Sequence, residues 1–110
     1  MSEIRVVEHL DSSGRSPWAR WFERLEPTSA AKVATAIYRL AQGNFSGVKG
    51  VGSGVLERVI DSGPGYRVYF GRDGDKLVIL LGGSTKHRQQ QAIENAKAHW
   101  ADYQRRKHER

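Results

Sequence analysis

A chain of 110 residues is one domain with no room for a second core. It has no cysteine, which excludes disulfides, thiolate chemistry and cysteine-ligated zinc, and its 18 Lys and Arg against 12 Asp and Glu leave a formal net charge of +6. That surplus points to a polyanionic partner, because cations that neutralise phosphates release condensed counterions. Residues 1–26 hold four basic and five acidic side chains, residues 27–85 seven and four, and residues 86–110 seven and three. The excess grows toward the C-terminus and suggests one basic side. The lack of cysteine fits a reducing cytoplasm. Glu3, Arg5, Glu8, Asp11, Arg15 and Arg20, with no long apolar run among them, argue against a signal peptide or membrane span.

Ile4, Val6 and Val7 among charged neighbours predict a short opening strand, and Asp11 to Gly14 a loop. Ser16 before Pro17 reads as a helix cap followed by proline at the first helical position. Trp18, Trp21, Phe22 and Leu25 then recur at helical spacing, an arrangement that suits core packing, until Pro27 breaks the helix. Thr28 is placed to cap a second helix with Ala34, Ile37, Tyr38 and Ala41 as its apolar stripe and Gly43 at its end. The joint is short, so the two helices are expected to lie antiparallel.

From Phe45 to Gly83 the period changes to that of strands. The glycines between Gly47 and Gly54 read as a flexible strand edge, since no Gly-Lys-Ser/Thr phosphate loop follows them. Val55 to Asp61 predicts one strand, Ser62 to Gly65 a four-residue turn, and Tyr66 to Phe70 the next strand. Asp73-Gly74 turns the chain again into Leu77 to Leu81, an apolar run suited to a central strand covered on both faces. Gly82 and Gly83 then release the chain into a last helix, capped by Ser84 or Thr85, with Ile93, Ala96, Trp100 and Tyr103 on its apolar face. Arg105, Arg106 and Lys107 lie near its end, where cations suit the helix dipole. The fold class is α+β: an opening strand and two-helix hairpin packed on an antiparallel sheet, with a C-terminal helix.

His9, His87, His99 and His108 show no paired ligand spacing, and no nucleophile-elbow serine is present, so neither a metal site nor a cofactor is expected. What remains is a set of cations around a sheet. If the turn is the four residues 62–65, Arg58 faces Tyr69 and Arg67 faces Ile60, and Arg58, Arg67 and Tyr69 share one face. A slip of one residue would send Arg58 to the other face. The segment Ser84 to Gln89 would carry Lys86, His87 and Arg88 to the rim of the same sheet.

Several of these stretches together resemble a known family. Gly43-Asn-Phe, Val48-Lys49, Gly54-Val-Leu-Glu57 and Gly63-Pro-Gly-Tyr-Arg-Val-Tyr-Phe70 are similar to the addiction-module killer proteins, a HigB-like branch of the RelE/ParE toxins. So are Leu80-Leu-Gly-Gly83 followed by Thr85-Lys86 and Arg88-Gln-Gln90, with Ala96, Trp100 and Tyr103 behind. The likeness runs from about residue 16 to 104. It implies a RelE/ParE-like fold, a cytoplasmic toxin of a type II toxin–antitoxin module, and a partner antitoxin of helix-turn-helix, HigA-like type through which operator DNA is reached. For most RelE-like members it implies cleavage of mRNA on the ribosome. ParE-like relatives instead poison DNA gyrase without catalysis, and the fold alone does not separate the two.

Carried over residue by residue, Arg67 matches the arginine after the Gly-Tyr pair, which contacts the scissile phosphate in RelE-like nucleases, and Lys86 matches the basic residue opening the last helix. Against the family pattern Arg58 stands one position early, and Ile93 stands near where some members carry a tyrosine. The expected chemistry is metal-independent: the ribose 2′-oxygen attacks the neighbouring phosphate, and Arg67 and Arg58 hold that phosphate. Lys86 assists, and His87 is the candidate acid or base. Lys49, Arg88 and Tyr69 are expected to bind the RNA.

Overall fold

The run Leu77 to Leu81 has no polar face, and it lies where two cores meet. A computed structural model of the chain describes residues 3–109. The elements follow the order β1 (Arg5–Glu8), α1 (Pro17–Phe22), α2 (Pro27–Ala41), β2 (Val48–Gly52), β3 (Val55–Ile60), β4 (Tyr66–Arg72) and β5 (Leu77–Thr85). A 3₁₀ turn over Lys86–Arg88 then leads into α3 (Gln89–His108). Among the described residues no helix is long and apolar enough to cross a membrane.

Strands β2 to β5 form an antiparallel meander, and the sheet order is β1-β5-β4-β3-β2. The class is α+β as expected, but the sheet is mixed and not wholly antiparallel. The meander leaves one edge of β5 unpaired, and β1 fills it in parallel, Val6 opposite Val78 and Val7 opposite Ile79. The glycine-rich stretch read as a strand edge forms β2, the outermost strand, paired on one side to β3. Between β2 and β3, Ser53 and Gly54 both take positive φ (57° and 84°), the two-residue turn whose twist matches that of a hairpin.

Alternation sorts the side chains into two layers. Leu56, Ile60, Tyr66, Val68, Phe70, Val78 and Leu80 pack beneath α1 and α2 with Trp18, Val33, Ala36 and Leu40. Val55, Tyr69, Ile79 and Leu81 pack on the opposite face beneath α3, against Ala96 and Trp100, with Ile93 and Tyr103 at the margin. The apolar face expected for α3 is the one observed.

Ser16 caps α1, its Oγ accepting from the Ala19 amide at 3.0 Å. The start of α2 differs from expectation. Glu26, not Thr28, is the cap, its carboxylate accepting from the Ser29 amide and hydroxyl at 3.0 and 2.9 Å. Pro27 is not a breaker here. It sits in the first turn, where its missing N–H costs no hydrogen bond. The buried stripe of α2 is accordingly Ser29, Val33, Ala36 and Leu40, while Tyr38, expected inside, is 64% exposed.

Two glycines let tryptophans close onto the sheet. A Cβ at Gly83 would lie 2.3 Å from the Trp21 ring, and one at Gly71 2.5 Å from Trp100. Gly83 therefore does not end β5, which continues to Thr85; it is the floor on which α1 rests.

A buried polar cluster ties β1 to α3. His9 is 3% exposed, its Nε2 3.4 Å from Asp102 Oδ2 and its ring 5.3 Å from that of His99. Burial lowers both imidazoles from their ordinary 6.5, and His99 lowers His9 further; Asp11 and Asp102 pull upward on both, while Arg106 opposes them at His9. A histidine kept neutral in the fold takes up its proton in the unfolded chain first, so stability is lost as pH falls below about 6.5. Hydrogen bonds chiefly from Arg106 to Asp102, and from Lys107 and Tyr103 to Asp73, hold these two carboxyls below their ordinary 3.8. Their share of stability is lost only at more acid pH.

Two outcomes follow for folding. Gly71→Ala and Gly83→Ala should each cost about 1–3 kcal/mol in urea unfolding through overpacking, whereas Gly50→Ala, where nothing lies within 4 Å of the added atom, should leave the midpoint unchanged. Thermal unfolding should show a Tm that begins to fall below pH ~6.5, and His99→Gln should flatten that first part of the decline.

Candidate functional site

The β3–β4 register decides which cations meet. Ile60 faces Tyr66, Val59 faces Arg67, Arg58 faces Val68 and Glu57 faces Tyr69. The connection is the five residues 61–65, one longer than expected: Ser62 N–H donates to the Ile60 carbonyl and Gly65 N–H to the Ser62 carbonyl, which draws Asp61 out of the ladder. Arg58 is thereby sent to the α2 face. It does not share a face with Arg67, and its guanidinium donates to the Ser46 carbonyl at 2.6 Å and lines a cavity of ≈ 390 Å³ with Lys32 and Arg39.

On the α3 face, Lys49 of β2 stands opposite Glu57 of β3, which stands opposite Tyr69 of β4, and Tyr69 is opposite Gly82 of β5. The next row is Val59, Arg67 and Ser84. An irregularity between Tyr69 and Phe70, with Tyr69 facing Gly82 and Phe70 facing Leu80, lets β5 keep Leu81 beneath α3 while turning Ser84 toward Arg67. Glu57 is the centre of this surface. It is fully buried, accepts from Gln89 Nε2 at 2.8 Å, and has Lys49 Nζ 3.5 Å from Oε1 and Arg67 Nε 3.9 Å from Oε2. The Gln89 contact is a hydrogen bond, while among the described residues Glu57 Oε1 and Arg67 Nε have no hydrogen-bond partner. A buried carboxylate held by one amide and flanked by two cations orients those cations while leaving their donors largely uncommitted.

Lys86 joins the group through the backbone. Its N–H donates to the Gly65 carbonyl at 2.9 Å, and Arg67 Nη1 reaches the same carbonyl at 3.4 Å. A methyl group on Gly65 would lie 3.3 Å from Arg67 Nη1 and 3.8 Å from Lys86 Cβ, so the Arg67 guanidinium and the root of the Lys86 side chain both border this glycine. Lys49 is 62% exposed and Arg67 12%, so the first is a flexible surface charge and the second a positioned one.

The remaining expected residues lie elsewhere or act indirectly. Tyr69 shares the face of Arg67 but is fully buried, its hydroxyl 3.2 Å from Ser84 Oγ and pushed up to about 12, chiefly by burial. It supports Ser84 and does not offer a surface to a ligand. Ser84 is likewise not a helix cap, and Thr85 makes no side-chain cap bond. His87 and Arg88 are exposed on the 3₁₀ turn and line a separate cavity beside Trp21 and Arg24.

Sequence reasoning missed Glu57 and Gln89. The signal for Glu57 was present: Val55, Glu57 and Val59 are alternate residues of one strand, so an acid stands at a position whose neighbours face the core. Arg105, Arg106 and Lys107 lie in the last turn of α3, as expected. Arg105 and Arg106 bond Asp102 one turn back on α3 itself, and Lys107 bonds Asp73 of the β4–β5 connection at 2.5 Å, so of these three cations only Lys107 fastens α3 to the body. The described residues contain no group of three or more His, Cys, Asp or Glu placed to hold a metal ion.

No protein-family model matches the chain. Over 78 residues it is 44% identical to an uncharacterized protein of Haemophilus influenzae, a stretch that covers 70% of this chain and 79% of that protein.

Removing the Glu57 carboxylate leaves Gln89 and Arg67 facing a buried gap. Glu57→Ala should destabilise the fold by about 1–3 kcal/mol in urea unfolding, whereas Lys49→Ala, at an exposed side chain, should stay within roughly 0.5 kcal/mol of the parent.

Proposed function

We propose that this chain, which belongs to one family with the Haemophilus influenzae protein, is a RelE/ParE-like toxin of a type II toxin–antitoxin module that cleaves RNA. The observation that carries the reading is that the Arg67 guanidinium and the root of the exposed Lys86 side chain both border Gly65, beside the buried Glu57. Two cations from separate strand ends, one of them a guanidinium fixed on a sheet, suit a phosphodiester better than a diffuse basic surface does. Gly65 keeps the approach low, since a side chain there would crowd the Arg67 guanidinium.

In this mechanism the RNA supplies its own nucleophile. The ribose 2′-oxygen attacks the adjacent phosphorus, the bond to the 5′-oxygen of the next nucleotide breaks, and a 2′,3′-cyclic phosphate remains. Arg67 and Lys86 stabilise the negative charge that builds on the non-bridging oxygens. Glu57 positions Arg67 and, being fully buried, does not touch the substrate. His87, next to Lys86 on an exposed turn, is the side chain to take the 2′-proton or supply one to the leaving oxygen. Lys49 and Arg88 follow the backbone on either side. Arg58 has no part in the reaction, since it lies on the opposite face. A small antitoxin, expected to be of helix-turn-helix type, would neutralise the toxin by covering this surface.

Growth after induced expression, together with mapping of new RNA 5′ ends, tests the proposal. The chain should arrest growth and produce defined cuts. Arg67→Ala should lower cleavage by roughly 10²–10³-fold, and Arg58→Ala should leave it at the parental level. Growth arrest with intact RNA and an induced DNA-damage response would overturn the nuclease in favour of a gyrase poison.

A further inference from the structure

The cavity that receives His87 and Arg88 is the largest of those lining the surface near the site, at ≈ 740 Å³. That is within the range of small-ligand pockets. Trp21 and Arg24 of the α1 end form one side, and Arg88, Gln91 and Asn95 form the other, with Ser84 between them. It lies next to the Arg67 row through one shared residue, since Ser84 lines it and is the cross-strand neighbour of Arg67. No carboxylate is among its lining residues, while Arg24, His87 and Arg88 are.

Its far wall carries a paired amide. Gln91 Nε2 donates to Asn95 Oδ1 at 3.0 Å, one helical turn apart. Each amide has one acceptor and one NH₂ group. The bond between them uses a Gln91 N–H and the Asn95 oxygen, so that the pair still presents the Gln91 oxygen as an acceptor and the Asn95 NH₂ as a donor. An adjacent donor and acceptor at fixed spacing is the pattern with which side-chain amides read a base edge. The Trp21 ring, held against Gly83, gives the cavity an apolar wall.

From this we infer that the cavity between α1 and α3 is a nucleotide subsite. Arg24 and Arg88 hold a phosphate of the strand next to the scissile one, and the Gln91–Asn95 pair selects the base. The inference rests on the reading of the chain as an RNA-binding toxin and assigns its sequence preference to residues outside the reacting group. Gln91 and Asn95 are exposed, so their removal leaves the cores untouched.

The test is binding of short 2′-O-methyl oligo(A), oligo(C) and oligo(U), which lack an attacking hydroxyl, at one fixed salt concentration. The parent should prefer its best homopolymer to its worst by roughly 5- to 150-fold. Asn95→Ala and Gln91→Ala should compress that span to about two-fold, whereas Arg24→Ala should weaken all three together and reduce the salt dependence. A parent that binds all three equally, or an Asn95→Ala chain that keeps the parental ranking, overturns the subsite while leaving RNA binding intact. A parent that binds none of them overturns the RNA reading itself, and the subsite with it.

Discussion

The register between β3 and β4 is the constraint on which the rest of the candidate site depends. Side chains alternate with a period of two, so a shift of one residue exchanges the two faces of a strand completely. With Ile60 opposite Tyr66, both aromatic and aliphatic partners fall beneath the helical hairpin, and Glu57, Arg67 and Tyr69 fall together on the other side. The alternative pairing would bring Arg58 beside Arg67, but it would also carry Leu56 and Ile60 out of the first core and leave Glu57 within it. Apolar burial settles the contest. The face that carries Arg67 is therefore a consequence of where the aliphatic residues must go.

The same face is shaped by what α3 covers and what it leaves open. Trp100 can lie flat on the strands only because Gly71 has no side chain, and Trp21 makes the equivalent approach to Gly83 on the opposite layer. These contacts fix where α3 begins relative to β5, and hence where Gln89 meets Glu57. A buried carboxylate at that place would be costly if it stood alone. Gln89 satisfies one oxygen, and Lys49 and Arg67 supply opposite charge, so the group is tolerated and in turn holds the guanidinium in place.

Much of this was legible in the residues. The unbroken apolar run of β5 announced a strand buried on both faces, the spacing of Ala96, Trp100 and Tyr103 gave the inner face of α3, and Ser16-Pro17 marked a helix start. What failed did so where two local signals compete. Pro27 both ends one helix pattern and suits the first turn of the next, and only the reach of Glu26 to Ser29 decides between them. Gly82 and Gly83 read as an exit from the sheet because the need for a bare backbone under Trp21 is a tertiary fact. The parallel pairing of β1 with β5 joins residues over 70 positions apart and has no local signature. Loop length was the most consequential miss. One extra residue between β3 and β4 removed Arg58 from the site and brought in Glu57.

Net charge, too, changes its meaning once the chain is folded. By count, residues 86–110 carry the steepest positive excess, yet Arg105 and Arg106 are engaged by Asp102 within α3, and Lys107 by Asp73 of the β4–β5 connection. Arg58, Lys32 and Arg39 face away from Arg67, around a groove on the α2 side. The cations rooted near Gly65 and Ser84 are few, Arg67 from the middle of the chain and Lys86 at the entry to α3. A polyanion would be drawn by the whole surplus at long range, since distant charges add to the field that steers encounter. Position is set by a smaller number at short range, where a guanidinium on a strand backed by a buried carboxylate has little freedom. The distinction matters for reading basic proteins in general: the count describes attraction, and the register describes where the attracted group can be held.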